Sequence, residues 1–438
     1  MGTATPDPKV ACDARNVIEE IAGGALRRRP VAVRFWDGSV LPATGDVADP
    51  PTLVLRSKRA LAYLLRAPGE IGLGRAWVAG ELDLEGDLER VISWRDSLLT
   101  TSLSLADRAR VLLAGWRVAG LEALRRPPVL QSEVRPHGRI HSLARDQEVV
   151  RHHYDVSNSF YRLLLGPSMV YSCAYFDSPE DSLEVAQERK LDLICRKLAL
   201  RPGDRLLDIG CGWGSLIVHA AAEYGVNALG VTLSEQQAEG AHERIRDAGV
   251  QDHCEVRVAD YRELAGEQFD AIASVGMYEH VGRTQLGTYV RTIKRMLRAG
   301  GTFLNHGITR LSLAPTSRRT FIQRFVFPDG ELDPLSDLLS EMHEAGLELR
   351  DVESLREHYA LTLRHWVKNL TDARDAAVRE AGSETERIWR LYMSGSARAF
   401  EAGEISVFQT LAVHRGERHH GLPYNRLRLL DSNSAIRV

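Results

Sequence analysis

The stretch Leu206 to Gly214, LLDIGCGWG, constrains this chain more than any other, because a short apolar strand ending in Asp208 runs straight into three glycines spaced GxGxG. Without Cβ atoms, Gly210, Gly212 and Gly214 allow a tight turn to bring backbone close to a ligand, and Ser215 to Ala222 then start a helix. The pattern predicts a strand–loop–helix cofactor site. A dinucleotide loop needs GxGxxG and an acidic residue closing the second strand. This chain has neither: its second strand, Val226 to Val231, runs into Thr232, Leu233, Ser234, Glu235, Gln236 and Gln237, with hydroxyl and amide groups where the acid belongs. The context points to S-adenosylmethionine, with a purely structural glycine turn as the alternative.

From about residue 183 the chain alternates strand and helix. Leu206 to Ile209, Ala228 to Thr232, Glu255 to Val258, Ala271 to Val275 and Thr302 to Asn305 are short apolar runs separated by helical stretches, which predicts a parallel sheet covered on both faces. Glu348 to Val352 and Ser406 to Val413 add two late strands around a long helical region. Five strands followed by two is the α/β expectation for a class I methyltransferase, with a Rossmann-like seven-stranded sheet. In such a sheet ligands lie beyond the carboxyl ends of the strands, so Asp208, Thr232, Asp260, Gly276 to Glu279 and His306 are expected on one rim.

At 438 residues the chain is long enough for a second domain. Residues 1–15 are expected to be a disordered lead-in, 16–104 a smaller N-terminal α+β domain, 105–150 a basic helical linker, 151–415 the methyltransferase domain and 416–438 a tail. Within the first domain, Val31 to Leu41 reads as a hairpin, Thr52 to Leu55 as a strand, and Ser57 to Leu65 as a helix with a serine cap. Glu70 to Asp87, with glycines every few residues, reads as tight turns between short elements. Leu105 to Leu124 is an amphipathic helix beside Arg108, Arg110, Arg117, Arg125 and Arg126. It is either a solvated connection between domains or a surface that docks on anionic lipid.

A net charge of -3 gives no global case for nucleic-acid binding. Cys12, Cys173, Cys195, Cys211 and Cys254 lack metal-ligand spacing, so no metal is expected, and a reducing cytoplasm fits them. No apolar run approaches the ~18 residues that cross a bilayer, so any membrane contact is expected to be peripheral.

The rim segments are distinctive: Gly276-Met277-Tyr278-Glu279-His280-Val281-Gly282, Leu304-Asn305-His306-Gly307-Ile308, Tyr171-Ser172-Cys173-Ala174-Tyr175, Phe321 to Gly330 (FIQRFVFPDG), and His358-Tyr359 with Thr362-Leu363 and Trp366. With them the chain resembles the cyclopropane-fatty-acyl-phospholipid synthase family over roughly residues 30 to 415. That family includes the mycolic acid cyclopropane synthases and actinobacterial enzymes forming 10-methylene fatty acyl chains. The resemblance implies an N-terminal lipid-facing domain and a substrate that is the cis double bond of an unsaturated phospholipid acyl chain. The alkene takes a methyl group from the sulfonium, leaving a carbocation that must then lose one proton.

In this family the base is held to be bicarbonate. The match implies that Glu279, His306 and Tyr359 hold it through side chains while Cys173 and Ile308 contribute backbone groups. It further implies Tyr171, Ser172, Asp208, Gly210, Gly212, Gly214, Thr232, Gln237, Tyr261 and Arg262 as cofactor-binding residues. The adenine is expected near Tyr261, for which plain packing is the duller reading. Tyr161, Tyr175, Phe325 and Trp366, with Phe321 to Pro334, are expected to cover an acyl tunnel. Many relatives carry a cysteine where this chain has Ser396, which leaves the choice between cyclopropane and 10-methylene product open; the Asn305-His306-Gly307 context and Ser396 resemble more the 10-methylene-forming enzymes. A homodimer is expected from two-domain relatives, and a reductase partner if the product is a methylene chain.

The location that follows is cytoplasmic, peripheral on the inner face of the membrane. Two rivals remain: a soluble small-molecule N- or O-methyltransferase on the same fold, and a non-catalytic lipid-transfer or regulatory protein that retains cofactor binding.

Overall fold

A computed structural model describes residues 29–44, 48–67, 69–99, 109–110, 113, 115–118, 120–123, 125, 127–134, 145, 156–264, 266–312, 320–415 and 422–426. The lead-in 1–15 and most of 416–438 lie outside them, as does much of 105–150; within 105–124, residues 109–110, 113 and 115–118 are helical. The chain divides into two compact units, one of residues 1–134, 317–326 and 382–398, the other of 135–316, 327–381 and 399–438.

The first unit holds a four-stranded sheet in the order β2-β1-β3-β4, with β1 Ala32–Arg34, β2 Val40–Leu41, β3 Thr52–Leu55 and β4 Leu82–Glu85. The β1–β2 hairpin closes where Asp37 Oδ1 accepts from the Ser39 amide at 3.0 Å and Gly38 takes φ 82°. Helix α1 (Arg59–Arg66) packs Ala60 and Tyr63 against Phe35, Leu41 and Leu55. Its N-cap is Lys58 rather than a serine; Ser57 Oγ accepts from the Arg59 amide at 3.1 Å and donates to Glu81 at 2.5 Å.

The glycine-spaced segment corrects the expectation of serial turns, since helix α2 (Glu70–Val78) runs through Gly72 and Gly74. A Cβ at Gly72 would run into the Ala67 and Tyr63 carbonyls, and one at Gly74 into the Phe321 ring. Close packing, not turn formation, explains both glycines. Helix α3 (Leu88–Leu99) follows β4.

In the second unit a seven-stranded sheet runs in the order β10-β11-β9-β8-β5-β6-β7. Its strands are β5 Arg205–Ile209, β6 Asn227–Thr232, β7 Cys254–Val258, β8 Phe269–Val275, β9 Leu297–Arg310, β10 Leu347–Ser354 and β11 Ile405–His414. Strands β5 to β9 pair in parallel, and β11 pairs antiparallel with both neighbours. Because side chains alternate along a strand, Leu206, Ala228 and Ala273 face one core while Leu207, Leu229 and Ile272 face the other. The first core is closed by α5 (Leu183–Lys197), α6 (Ser215–Tyr224) and α7 (Glu235–Ala248), following α4 (Asn158–Leu165). The second is closed by α8 (Leu286–Met296) and α10 (Leu335–Glu344); the short α9 (Phe321–Phe325), between them in sequence, belongs to the first unit. Helices α11 (Arg356–Asp372) and α12 (Arg374–Glu401, broken at Gly382) lead into β11.

Strand β9 is far longer than the four residues expected. Its extension through Gly307 to Arg310 is paired residue by residue with β11, which satisfies backbone around an otherwise polar sequence. The order of the sheet reverses at β5, which has β6 on one side and β8 on the other, so the loops after β5 and β8 diverge and open a crevice.

Lys197, at the end of α5, is buried with its ammonium 3.1 Å from Asp351 and 2.5 Å from Glu353, and the more exposed Arg426 flanks the same two acids. Lys197→Met removes the buried cation and leaves two carboxylates facing each other. It is expected to destabilise the protein by about 3 kcal/mol or more, read as a fall in Tm at neutral pH. A Tm unchanged from wild type would show that Arg426 alone neutralises the pair.

Candidate active site

The crevice is a cavity whose wall combines the ends of β5, β6 and β8 with the Tyr171-Ser172 segment. Gly210 (φ 81°) and Gly212 (φ 53°) turn the chain through the left-handed region, and the amides of Gly210 and Cys211 both donate to Val231 O, which ties the loop to β6. Of the residues expected to bind cofactor, Tyr171, Ser172, Asp208, Gly210, Gly212, Thr232, Gln237, Tyr261 and Arg262 line the cavity. Gly214 does not; it caps α6, where a Cβ would lie 3.0 Å from that of Ala241.

The polar groups are held in place from behind. Thr232 Oγ1 donates to Gln237 Oε1 at 2.7 Å, and Arg262 forks onto Asp260 at 2.8 and 2.6 Å. The ring of Tyr261 meets Tyr289 edge-on with centroids 5.8 Å apart. Asp208 is buried, and its Oδ1 has no hydrogen-bond partner. Burial pushes this carboxyl up to about 7 against the pull of Lys190. An orphaned buried carboxylate in a glycine-lined wall fits a ligand that brings its own donor, as the amino-acid end of S-adenosylmethionine does.

Behind the cavity sits a second group. The 3₁₀ turn Tyr278–His280 follows β8 and directs Glu279 inward, where Oε1 accepts from the Ile308 amide at 2.7 Å. Tyr278 braces the turn by donating to Ile308 O at 2.9 Å. Glu279 Oε2 is buried with no partner, and burial lifts this carboxyl to about 7, opposed by the Ile308 amide. His306, in β9 opposite Gln409 of β11, has the Gln409 amide nitrogen 3.2 Å from Nδ1 and a buried, unbonded Nε2. With Nδ1 accepting, the ring proton rests on Nε2. Burial holds the imidazole well below its ordinary pKa, with Lys190 and Lys197 adding to the effect, so it is neutral.

Tyr359, on α11, and Cys173, in the segment between α4 and α5, are both tied to Ile308 through Leu355. Ile308 pairs with Val407, Val407 O accepts from the Leu355 amide at 2.9 Å, and Leu355 O accepts from the Tyr359 amide at 3.0 Å and from Cys173 Sγ at 3.7 Å. Cys173 is fully buried, and burial pushes its thiol far above the ordinary range, so it is no nucleophile. The rings of Tyr171, Trp366 and Tyr359 follow one another with centroids 5.4 and 6.0 Å apart, and Tyr161 lies 5.9 Å from Tyr171. None of Glu279, His306, Tyr359, Cys173 and Ile308 lines the cofactor cavity itself, whereas Met277, His280 and Ser172 beside them do.

Two residues went unnoticed in the sequence. Gln187 and Lys190, one turn apart on α5, are both buried. Gln187 Nε2 donates to Ser172 O at 2.9 Å and Lys190 Nζ to Ser172 Oγ at 2.9 Å, so α5 pins the segment carrying Tyr171. A signal existed: Gln187, Lys190 and Lys197 fall on the stripe of α5 otherwise held by Leu183, Ala186 and Ile194.

The family model described as mycolic acid cyclopropane synthetase matches residues 141–410. A probable fatty acid methyltransferase of Mycobacterium tuberculosis is 42% identical over 403 residues, 89% of this chain and 92% of that protein. The cyclopropane-fatty-acyl-phospholipid synthase of Escherichia coli is 37% identical over 267 residues, 60% of this chain and 67% of that protein. Among solved structures, mycolic acid cyclopropane synthase CmaA1 complexed with SAH and CTAB aligns with a TM-score of 0.58 and 34% identity, over 61% of this chain and 97% of that one. The glycine loop and the strand order had already pointed to S-adenosylmethionine, and a family match across well over half of the residues completes the assignment: this chain belongs to the mycolic acid cyclopropane synthetase family of S-adenosylmethionine-dependent methyltransferases.

Proposed function

We propose that the chain adds a one-carbon unit to the cis double bond of an unsaturated phospholipid acyl chain, giving a cyclopropane or 10-methylene chain, with bicarbonate as the base. The observation that carries this reading is the pair of orphaned buried atoms, Glu279 Oε2 and His306 Nε2, on the two segments joined by the Glu279–Ile308 hydrogen bond. Bound S-adenosylmethionine supplies an electrophilic methyl group, and bound bicarbonate an anionic oxygen to collect a proton. The protein's own contribution is placement. Neutral His306 offers an N–H to an anion, Glu279 offers a carboxylate oxygen to a hydroxyl hydrogen, and Tyr359 closes the third side. The Ile308 amide is engaged by Glu279 Oε1, so it acts here by orienting that carboxylate. The rings of Tyr171, Trp366 and Tyr359 present π faces that favour positive charge on the acyl chain and keep water away from it. Balance requires one methyl cation gained and one proton lost, a net CH₂.

The acyl chain must be drawn from a bilayer. We infer a peripheral location on the inner face of the cytoplasmic membrane, with the arginine-rich stretch at 105–126 in contact with anionic lipid. Among its described residues Arg110 and Arg117 lie beside Leu113 and Trp116, which are 59% and 42% exposed. No helix of the described residues is long and apolar enough to cross a membrane. A homodimer is part of the proposal, and so is a reductase that saturates the product if it is a methylene chain.

The test is incubation with S-adenosylmethionine and oleoyl-phospholipid vesicles, with and without bicarbonate, followed by mass spectrometry and proton NMR of the acyl chains. A bicarbonate-dependent gain of one CH₂ is expected, with upfield ring protons for a cyclopropane and vinyl protons for an exocyclic methylene. Cofactor binding without any mass gain in lipid would replace this reading by that of a soluble N- or O-methyltransferase.

A further inference from the structure

Two buried charges on the cofactor cavity are not explained by the protein alone. Lys190 is 2% exposed and lines the wall; of its three N–H groups, one goes to Ser172 Oγ at 2.9 Å. Asp208 is 3% exposed, lines the same wall, and leaves Oδ1 without a donor. They feel each other's charge, for burial brings Lys190 down to about 8 and Asp208 up to about 7 while each opposes the other's shift. Yet among the described residues neither forms an ion pair, with the other or with any third group. A buried cation and a buried anion held apart are costly unless something bridges them.

We propose that Lys190 binds the carboxylate of the amino-acid end of S-adenosylmethionine while Asp208 takes its ammonium, so that the ligand's zwitterion closes a split ion pair. The proposal rests on S-adenosylmethionine being the cofactor and adds the residue that reads its carboxylate. Adenosine carries no such zwitterion and neither does a phosphate, so the arrangement is specific to an α-amino acid. The Ser172 hydroxyl takes one ammonium hydrogen and Gln187 holds the Ser172 backbone, which leaves two hydrogens of Lys190 for a ligand in the cavity that Lys190 and Ser172 line. The bland alternative is that Lys190 merely pins that segment.

Ligands that differ only in the amino-acid end separate the two. Calorimetric titration of wild type, Lys190→Gln and Lys190→Met would use S-adenosylhomocysteine, its decarboxylated analogue, and 5′-methylthioadenosine, which lacks the amino-acid end altogether. Gln can still donate to Ser172, and Met removes the bond with the charge. Both variants are expected to weaken S-adenosylhomocysteine by about 10- to 100-fold, the size of one charge-assisted hydrogen bond, with 5′-methylthioadenosine left within about twofold. Wild type should lose a similar factor on the decarboxylated ligand, and the variants almost none.

Equal weakening of S-adenosylhomocysteine and 5′-methylthioadenosine would overturn the proposal in favour of pinning, and so would unchanged binding of all three. If neither variant folds, a wild type that binds S-adenosylhomocysteine and its decarboxylated analogue alike would overturn it on its own. A wild type that binds none of the ligands would bring down the cofactor assignment itself, a result separable from every other.

Discussion

Glu279→Gln is expected to slow methyl transfer to acyl chains by about 10²- to 10⁴-fold, the range of a positioned proton-transfer group, while making the protein more stable above pH 7. The two effects share a cause. Burial lifts the Glu279 carboxyl from an ordinary 4.5 to about 7, which corresponds to about 3 kcal/mol at most. Between those values the folded protein holds a proton that the unfolded chain has released, so stability falls as pH rises through this window and is lowest above it. Gln keeps the oxygen that accepts from the Ile308 amide and never ionises. The Tm gap between variant and wild type should therefore be small near pH 4.5 and widen up to pH 8, while wild-type turnover rises through about pH 7 as the carboxylate forms. A gap that does not depend on pH would mean that Glu279 bears no cost of burial. Turnover equal to wild type would remove it from the site.

A residue that is destabilising where it stands is a functional expectation with a physical sign. The same trait marks Asp208 and His306, both buried with orphaned polar atoms, whereas Lys197 is buried but fully paired and reads as structural.

How far the sequence speaks depends on the range of the forces involved. The strands β5, β6 and β8 were legible because each is a compact apolar run, β7 because apolar residues alternate with Glu255 and Arg257, and three glycines after Asp208 located the crevice. Local chemistry was enough there. It failed for the end of β9, where Gly307 to Arg310 lie beyond the pairing with β8 and are strand because β11, about a hundred residues later, pairs with them. It failed again for Gly72 and Gly74, which look like turn residues but are helical, since what excludes a side chain is the Tyr63 carbonyl and the distant Phe321 ring. The residues of the rim could be named individually, but not their connections. That Ile308 would spend its amide on Glu279, or that Lys190 would hold Ser172, depends on side chains meeting across elements. The one local signal was missed: Lys190 and Lys197 fall at helical spacing on the apolar stripe of α5, where a lysine requires a partner.

Gly307→Ala is the substitution that most directly tests whether this packing carries the activity. Replacing glycine in a strand ordinarily helps, because the unfolded chain loses freedom. Here the sign should reverse. A Cβ at Gly307 would lie far inside van der Waals contact with Cδ1 and Cε1 of Tyr278. That ring is 2% exposed, with its hydroxyl bonded to Ile308 O at 2.9 Å, so it can retreat only by breaking the bond and turning the segment that presents Glu279. The expected cost is about 1–3 kcal/mol of stability, the usual range for overpacking, with methyl transfer lowered at least about tenfold through the displaced carboxylate. Cofactor binding should survive, since neither Gly307 nor Tyr278 lines the cavity. The decisive comparison is a double-mutant cycle with Tyr278→Leu, which removes the obstructing ring edge: Gly307→Ala should cost little stability in that background, giving a coupling energy well above the ~0.5 kcal/mol expected of independent sites. Additive losses would mean that the strand relaxes around the new methyl, and that the grip of Tyr278 on the turn is not what positions Glu279.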